Sequence, residues 1–105
     1  MKSNFNIKAT LKIYPTHIGG RKTPIASGYR PNHVFDYVNS AKELKETFIG
    51  EITFKNPELI NPGEERQVNV RFLDMGEIKA KLIVGKTWWI HEGSNIIGEA
   101  KILEI

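Results

Sequence analysis

The chain has 105 residues, 40% of them hydrophobic and 26% charged, a balance that supports one globular domain over residues 1–105 and excludes a disordered chain. Cysteine is absent, which removes disulfides, thiolate metal sites and cysteine nucleophiles together. A net charge of +3 permits a polyanionic partner without requiring one, and no apolar run approaches the ~20 residues that span a bilayer.

Residues 1–5 lack the basic-then-apolar layout of a secretion signal, so the expected compartment is the cytoplasm. Phe5, Ile7, Ala9, Leu11 and Ile13 then alternate with Asn6, Lys8, Thr10 and Lys12, the period of a half-buried strand over residues 5–14. Pro15 ends it, because proline cannot donate to a ladder. Residues 15–33 read as a long loop with Gly19-Gly20 for positive φ and with Thr23-Pro24 and Arg30-Pro31 in extended geometry. A loop of this length in a small domain is functional or packed on itself.

A second strand is expected at 34–38. Residues 39–47 have the composition of one short helix, with Ser40 and Glu43 placed as a capping box. Strand character returns at 49–55, and Asn56-Pro57 and Asn61-Pro62-Gly63 mark turns. Val68, Val70 and Phe72 alternate with polar residues, as do Ile78, Ala80, Leu82 and Val84, the latter run bounded by Gly76 and Gly85. Residues 87–90 and 96–105 complete about seven short strands, with a turn at 92–95 between those two. That spacing predicts an all-β antiparallel sandwich or closed barrel with at most one short helix.

Few residues offer chemistry. Gly85-Lys86-Thr87 copies the end of a phosphate-binding P-loop, but Ala80 stands where the first glycine is needed and Trp88-Trp89-Ile90 continues as strand rather than helix. No nucleotide site is expected. His17, His33 and His91 lack metal-ligand spacing, so neither a metal nor any other cofactor is expected. No serine sits in a nucleophile elbow. The carboxylates Glu43, Glu46, Glu51, Glu58, Glu64, Glu65 and Asp74 read as solvated surface rather than as a catalytic pair. The chain is therefore expected to be no enzyme. Trp88 and Trp89 face opposite sides of a strand, one core and the other available as an interface anchor. Arg21, Lys22 and Arg30 on the glycine-hinged loop allow two readings: cations that meet phosphate oxygens, or arginines that pair with carboxylates within the domain.

Gly19-Gly20-Arg21-x-Thr23-Pro24, followed after three residues by Gly28-Tyr29-Arg30-Pro31, resembles the signature of the third, C-terminal domain of the translation elongation factor Tu family. Both blocks stand at the family's spacing. Weaker agreement extends over nearly the whole chain, through Phe5, Asn61-Pro62-Gly63-Glu64, and Ile90-His91-Glu92-Gly93 with Ile97-Gly98. The resemblance implies a six-stranded closed antiparallel β-barrel, here as a stand-alone domain without the family's GTPase domain and middle barrel. It implies contacts to the T-stem of tRNA, or to another structured RNA, at Arg21, Lys22, Asn32, Glu92 and Gly93. The alternative it implies is a protein-interaction module that docks on a translation-factor partner, with Gly28, Tyr29, Arg30, Pro31, Trp88 and Trp89 as interface candidates. Lys22 stands for the family's histidine, Asn32 for its glutamine and His91 for its arginine, and the segment 39–48 is longer than the family's equivalent and unlike it.

Overall fold

A computed structural model describes residues 4–37 and 46–105. Six strands close into an antiparallel barrel in the order β1 (Asn4–Ile13), β6 (Glu65–Leu73), β4 (Phe48–Thr53), β3 (Asn32–Val34), β7 (Thr87–Glu92) and β8 (Asn95–Glu104). Two further short strands, β2 (Ile25–Ala26) and β5 (Leu59–Ile60), pair with each other outside the barrel. Closure gives each barrel strand a neighbouring strand on both sides.

The alternation in β1 does what its period predicts. Ile7, Ala9, Leu11 and Ile13 are buried, while Asn4, Asn6, Lys8 and Lys12 face water. The inward rows match large residues with small ones, as a narrow barrel interior requires. Gly50 lies opposite Phe72, Ala100 opposite Trp88, and Gly98 opposite both Ile90 and Ile13. At the end where β1, β4 and β7 finish, Ile25 and Ile60 from the small sheet join the same core. At the opposite end, between β6 and β7, Ile78 and Leu82 seal it.

Ile78 and Leu82 correct the strand expected over 78–84. The segment forms a single helical turn, α1 (Ile78–Lys81), which begins with buried Ile78 and is followed at once by buried Leu82, so the two aliphatics four residues apart both reach the core. Ala80 and Val84, which a strand would have turned inward, are exposed. Apolar residues at every second position include a pair four apart, so a short stretch fits either period. Removing this strand leaves the six of the barrel. The second expected strand also shifts: pairing covers Asn32–Val34 rather than 34–38, and Phe35 turns into the core beyond it. The helix expected over 39–47 lies almost entirely outside the described residues, as does Val38.

Within the long loop a 3-10 turn occupies Thr16–Ile18. Gly19 closes it at φ 94°, donating its N–H to the Thr16 carbonyl at 3.1 Å. Gly20 is needed for a different reason, since its N–H bonds the Pro15 carbonyl and a Cβ would overlap the Tyr14 and Pro15 carbonyl oxygens. Two adjacent glycines thus serve conformation and close approach respectively. Gly20→Ala is expected to cost about 1–3 kcal/mol through overpacking against rigid backbone. Thermal unfolding checks it, and an unchanged midpoint would mean that the loop does not sit as described.

Candidate nucleic-acid interface

The turn delivers Arg21 to a set of acceptors arranged by its own neighbours. The Thr16 hydroxyl donates to the Arg21 carbonyl at 2.5 Å, which holds the backbone. Arg21 Nε donates to the Thr23 carbonyl at 3.1 Å, and Nη2 to Thr23 Oγ1 at 3.0 Å and the Pro24 carbonyl at 3.4 Å. Thr23 and Pro24 therefore work as the guanidinium's acceptors. The remaining arm, Nη1, donates to Glu92 Oε2 at the end of β7.

Tyr29 completes the cluster. Its hydroxyl donates to the same Glu92 oxygen, and its ring lies 5.2 Å from the Arg21 guanidinium carbon. Burial, reinforced by the Glu92 hydrogen bond, holds the Tyr29 phenol well above its usual range, so it stays a donor at physiological pH. Both signature blocks and the β7–β8 hairpin, separated by up to 71 residues, are thereby tied at one carboxylate.

The second block also has structural work. Gly28 N–H bonds the Ile52 carbonyl, and Ile52 N–H bonds the Tyr29 carbonyl, each at 2.8 Å, extending the β3 side of the barrel along β4. Arg30 turns away from Glu92 and donates to Glu51 Oε2 from Nη2 at 3.1 Å and Nε at 3.3 Å. Arg71 holds the other Glu51 oxygen at 3.0 Å. Pro31 is buried.

Both signature arginines thus pair within the domain, which favours the internal-pairing reading for Arg21 and Arg30. Lys22 is different: it is exposed and, among the described residues, forms no ion pair. Asn32 is exposed opposite His91 in β7 and Ile49 in β4. Gly93 follows Glu92 in the tight turn to β8, with open space where a Cβ would stand. The five residues that the resemblance assigns to RNA contacts therefore gather around one end of the barrel.

Of the two tryptophans, Trp88 is fully buried and offers no surface to a partner. Trp89 points outward, half-buried, with its ring 5.3 Å from that of Tyr37. Sequence reasoning treated Glu51 as solvated surface, whereas its carboxylate is held between two arginines from different segments. Glu64 is also engaged, accepting from the Asn61 backbone and side-chain amides across the Pro62-Gly63 turn. Only the cross-strand alternation of Glu51 and Arg71 could have signalled the first of these. Glu43 lies outside the described residues.

His33 and His91 are buried on adjacent strands and His17 is exposed in the 3-10 turn. Among the described residues no three His, Asp or Glu side chains are grouped to hold a metal ion. No described helix is long and apolar enough to cross a membrane. No family model matches the chain.

Proposed function

We propose that this chain is a non-catalytic binding module, similar to the third domain of elongation factor Tu, whose signature-loop end engages tRNA or another structured RNA. The observation that carries the reading is convergence. Arg21, Lys22, Asn32, Glu92 and Gly93 come from three separate segments and lie around one barrel end, where Arg21 bonds the Glu92 carboxylate and Asn32 stands opposite His91. A resemblance made only of turn residues would have no reason to collect them.

The roles then divide. Arg21 spends its donors on Thr23, Pro24 and Glu92, so it is a positioning residue that sets the loop. Lys22 is the exposed cation for a phosphate, Asn32 an amide for a ribose 2′-hydroxyl, and Gly93 a place where a nucleic-acid backbone can approach closely. Contacts of this kind read shape rather than sequence.

Gel-shift titration of tRNA against salt tests the reading. Lys22→Ala is expected to weaken binding at low salt and to reduce the slope of log K against log salt by about one, the loss of a single phosphate contact. A DNA duplex of matched length should bind more weakly, because it lacks the 2′-hydroxyls. The reading is lost if tRNA fails to bind at low salt, or if Lys22→Ala leaves both affinity and slope unchanged.

A further inference from the structure

We infer that the groove around the Arg30–Glu51–Arg71 clamp is a docking site for an extended protein segment that presents a carboxylate and aliphatic side chains on one face, at every second residue. The groove encloses about 300 Å³ on the outer face of β4 and β6 and is lined by Asn4, Arg30, Ile49, Glu51, Arg71 and Leu73. It does not depend on RNA binding at the signature-loop end, because neither Lys22 nor Glu92 lines it.

Two guanidinium groups stand on one carboxylate, so the groove keeps a surplus positive charge. The side chains of Arg30 and Arg71 are 67% and 49% exposed, whereas Glu51 is 20% exposed. Glu51 thus sits behind the arginines and holds both at one place. Each guanidinium carries five N–H donors. Glu51 takes two from Arg30 and one from Arg71, which leaves several available to a second acceptor. A pair of guanidinium groups fixed by a common partner is preorganised for a carboxylate, and little side-chain entropy remains to be lost on binding.

The apolar part selects among anions. Ile49 is 54% exposed beside the clamp, and Leu73 flanks it from β6. These surfaces fit aliphatic side chains. Among the described residues no aromatic ring lines the groove to stack on a base. Glu51 would also face any run of phosphates passing along the strand pair. A peptide that places one carboxylate between aliphatic residues meets the arginines and the Ile49–Leu73 surface together. β4 and β6 each have a neighbouring strand on both sides, so such a segment would lie across this face rather than add a strand.

The test is an NMR titration of the whole chain, following arginine Nε–H and backbone amide signals. The probes are a capped peptide with the pattern Leu-Thr-Glu-Thr-Leu, which sets glutamate and leucine on one face of an extended chain, its glutamine counterpart, and a short RNA hairpin. The glutamate peptide is expected to shift Arg30, Arg71, Ile49 and Leu73 saturably, with affinity falling at least about tenfold in the Arg30→Gln, Arg71→Gln double variant. The glutamine peptide should bind markedly less well. If the double variant does not fold, the single variants Arg30→Gln and Arg71→Gln serve instead, and each should weaken binding of the glutamate peptide severalfold. The inference is overturned by shifts that map elsewhere, by equal response to the glutamine peptide, or by unchanged affinity in the double variant. It is equally overturned if both single arginine variants bind the glutamate peptide as the wild type does, or if the RNA hairpin occupies the groove in preference to the peptide.

Discussion

Trp88→Ala is expected to lower the unfolding free energy by about 3–5 kcal/mol, the range for emptying a large aromatic site within a core. For a domain whose total stability is on the order of 5–15 kcal/mol, that brings the native state close to its limit. The reason lies in what surrounds the indole. Its ring stacks on Phe35 at 5.2 Å with the planes 15° apart and meets Phe72 edge-on at 5.7 Å. Phe35 in turn packs on Phe48 and Phe72, so the neighbours are rigid rings that brace one another and cannot collapse into the gap. Ala100, directly across from Trp88 on β8, is too small to fill it. Denaturant unfolding with matched m-values measures the effect, and a loss below about 2 kcal/mol would mean that the site relaxes after all. Trp88→Phe separates packing from hydrogen bonding: it keeps a ring but removes the indole N–H that His33 accepts at 3.0 Å. A buried acceptor left without its donor costs about 1–3 kcal/mol, so this variant should fall between the alanine variant and the wild type.

Much of this barrel was legible in the sequence, and the parts that were not share a physical cause. Strict alternation identified β1 and β6, because one face of each looks into the core and the other into water. In the long loop the positive φ expected of Gly19-Gly20 occurs at Gly19, whereas the close approach that requires Gly20 and the acceptor role of Thr23 and Pro24 toward Arg21 emerge only in the folded loop. The run Ile78 to Val84 misled because four residues of apolar spacing suit a helical turn as well as a strand, and only the depth of Ile78 and Leu82 decides. The pairings Arg21–Glu92 and Arg30–Glu51 span 71 and 21 residues and are made by closure of the barrel. No local pattern encodes them. The same holds for the partners of His33, which come from β4 and β7.

His33 carries the expected acid response of the fold. It is fully buried, its Nε2 is 3.0 Å from the Gly50 carbonyl, and its Nδ1 is 3.0 Å from Trp88 Nε1. An indole nitrogen can only donate, so Nδ1 must accept, and Nε2–H donates to Gly50. The neutral ring is therefore satisfied at both nitrogens. A proton on Nδ1 would face the indole N–H, lose that hydrogen bond and leave a charge in an apolar core. Burial accordingly pulls the His33 pKa from 6.5 down to about 4, with the Gly50 carbonyl opposing only part of the fall. The unfolded chain binds this proton near pH 6.5 and the native state does not, so the unfolded state gains on acidification and stability rises with pH across that interval. The His33 contribution should be undiminished above about pH 6.5 and should decline by about 3 kcal/mol in total by pH 4. Unfolding free energies measured between pH 7 and pH 4 test this, together with the His33 ring signals, which should stay those of the Nε2–H tautomer down to the low end. A folded-state midpoint near 6.5 would refute it. Trp88→Phe supplies the decisive comparison, because it clears the donor from Nδ1 and lets the ring take a proton more readily. That variant should be less stable at pH 7 and yet lose less between pH 6.5 and pH 4 than the wild type, an inversion that simple loss of packing does not produce.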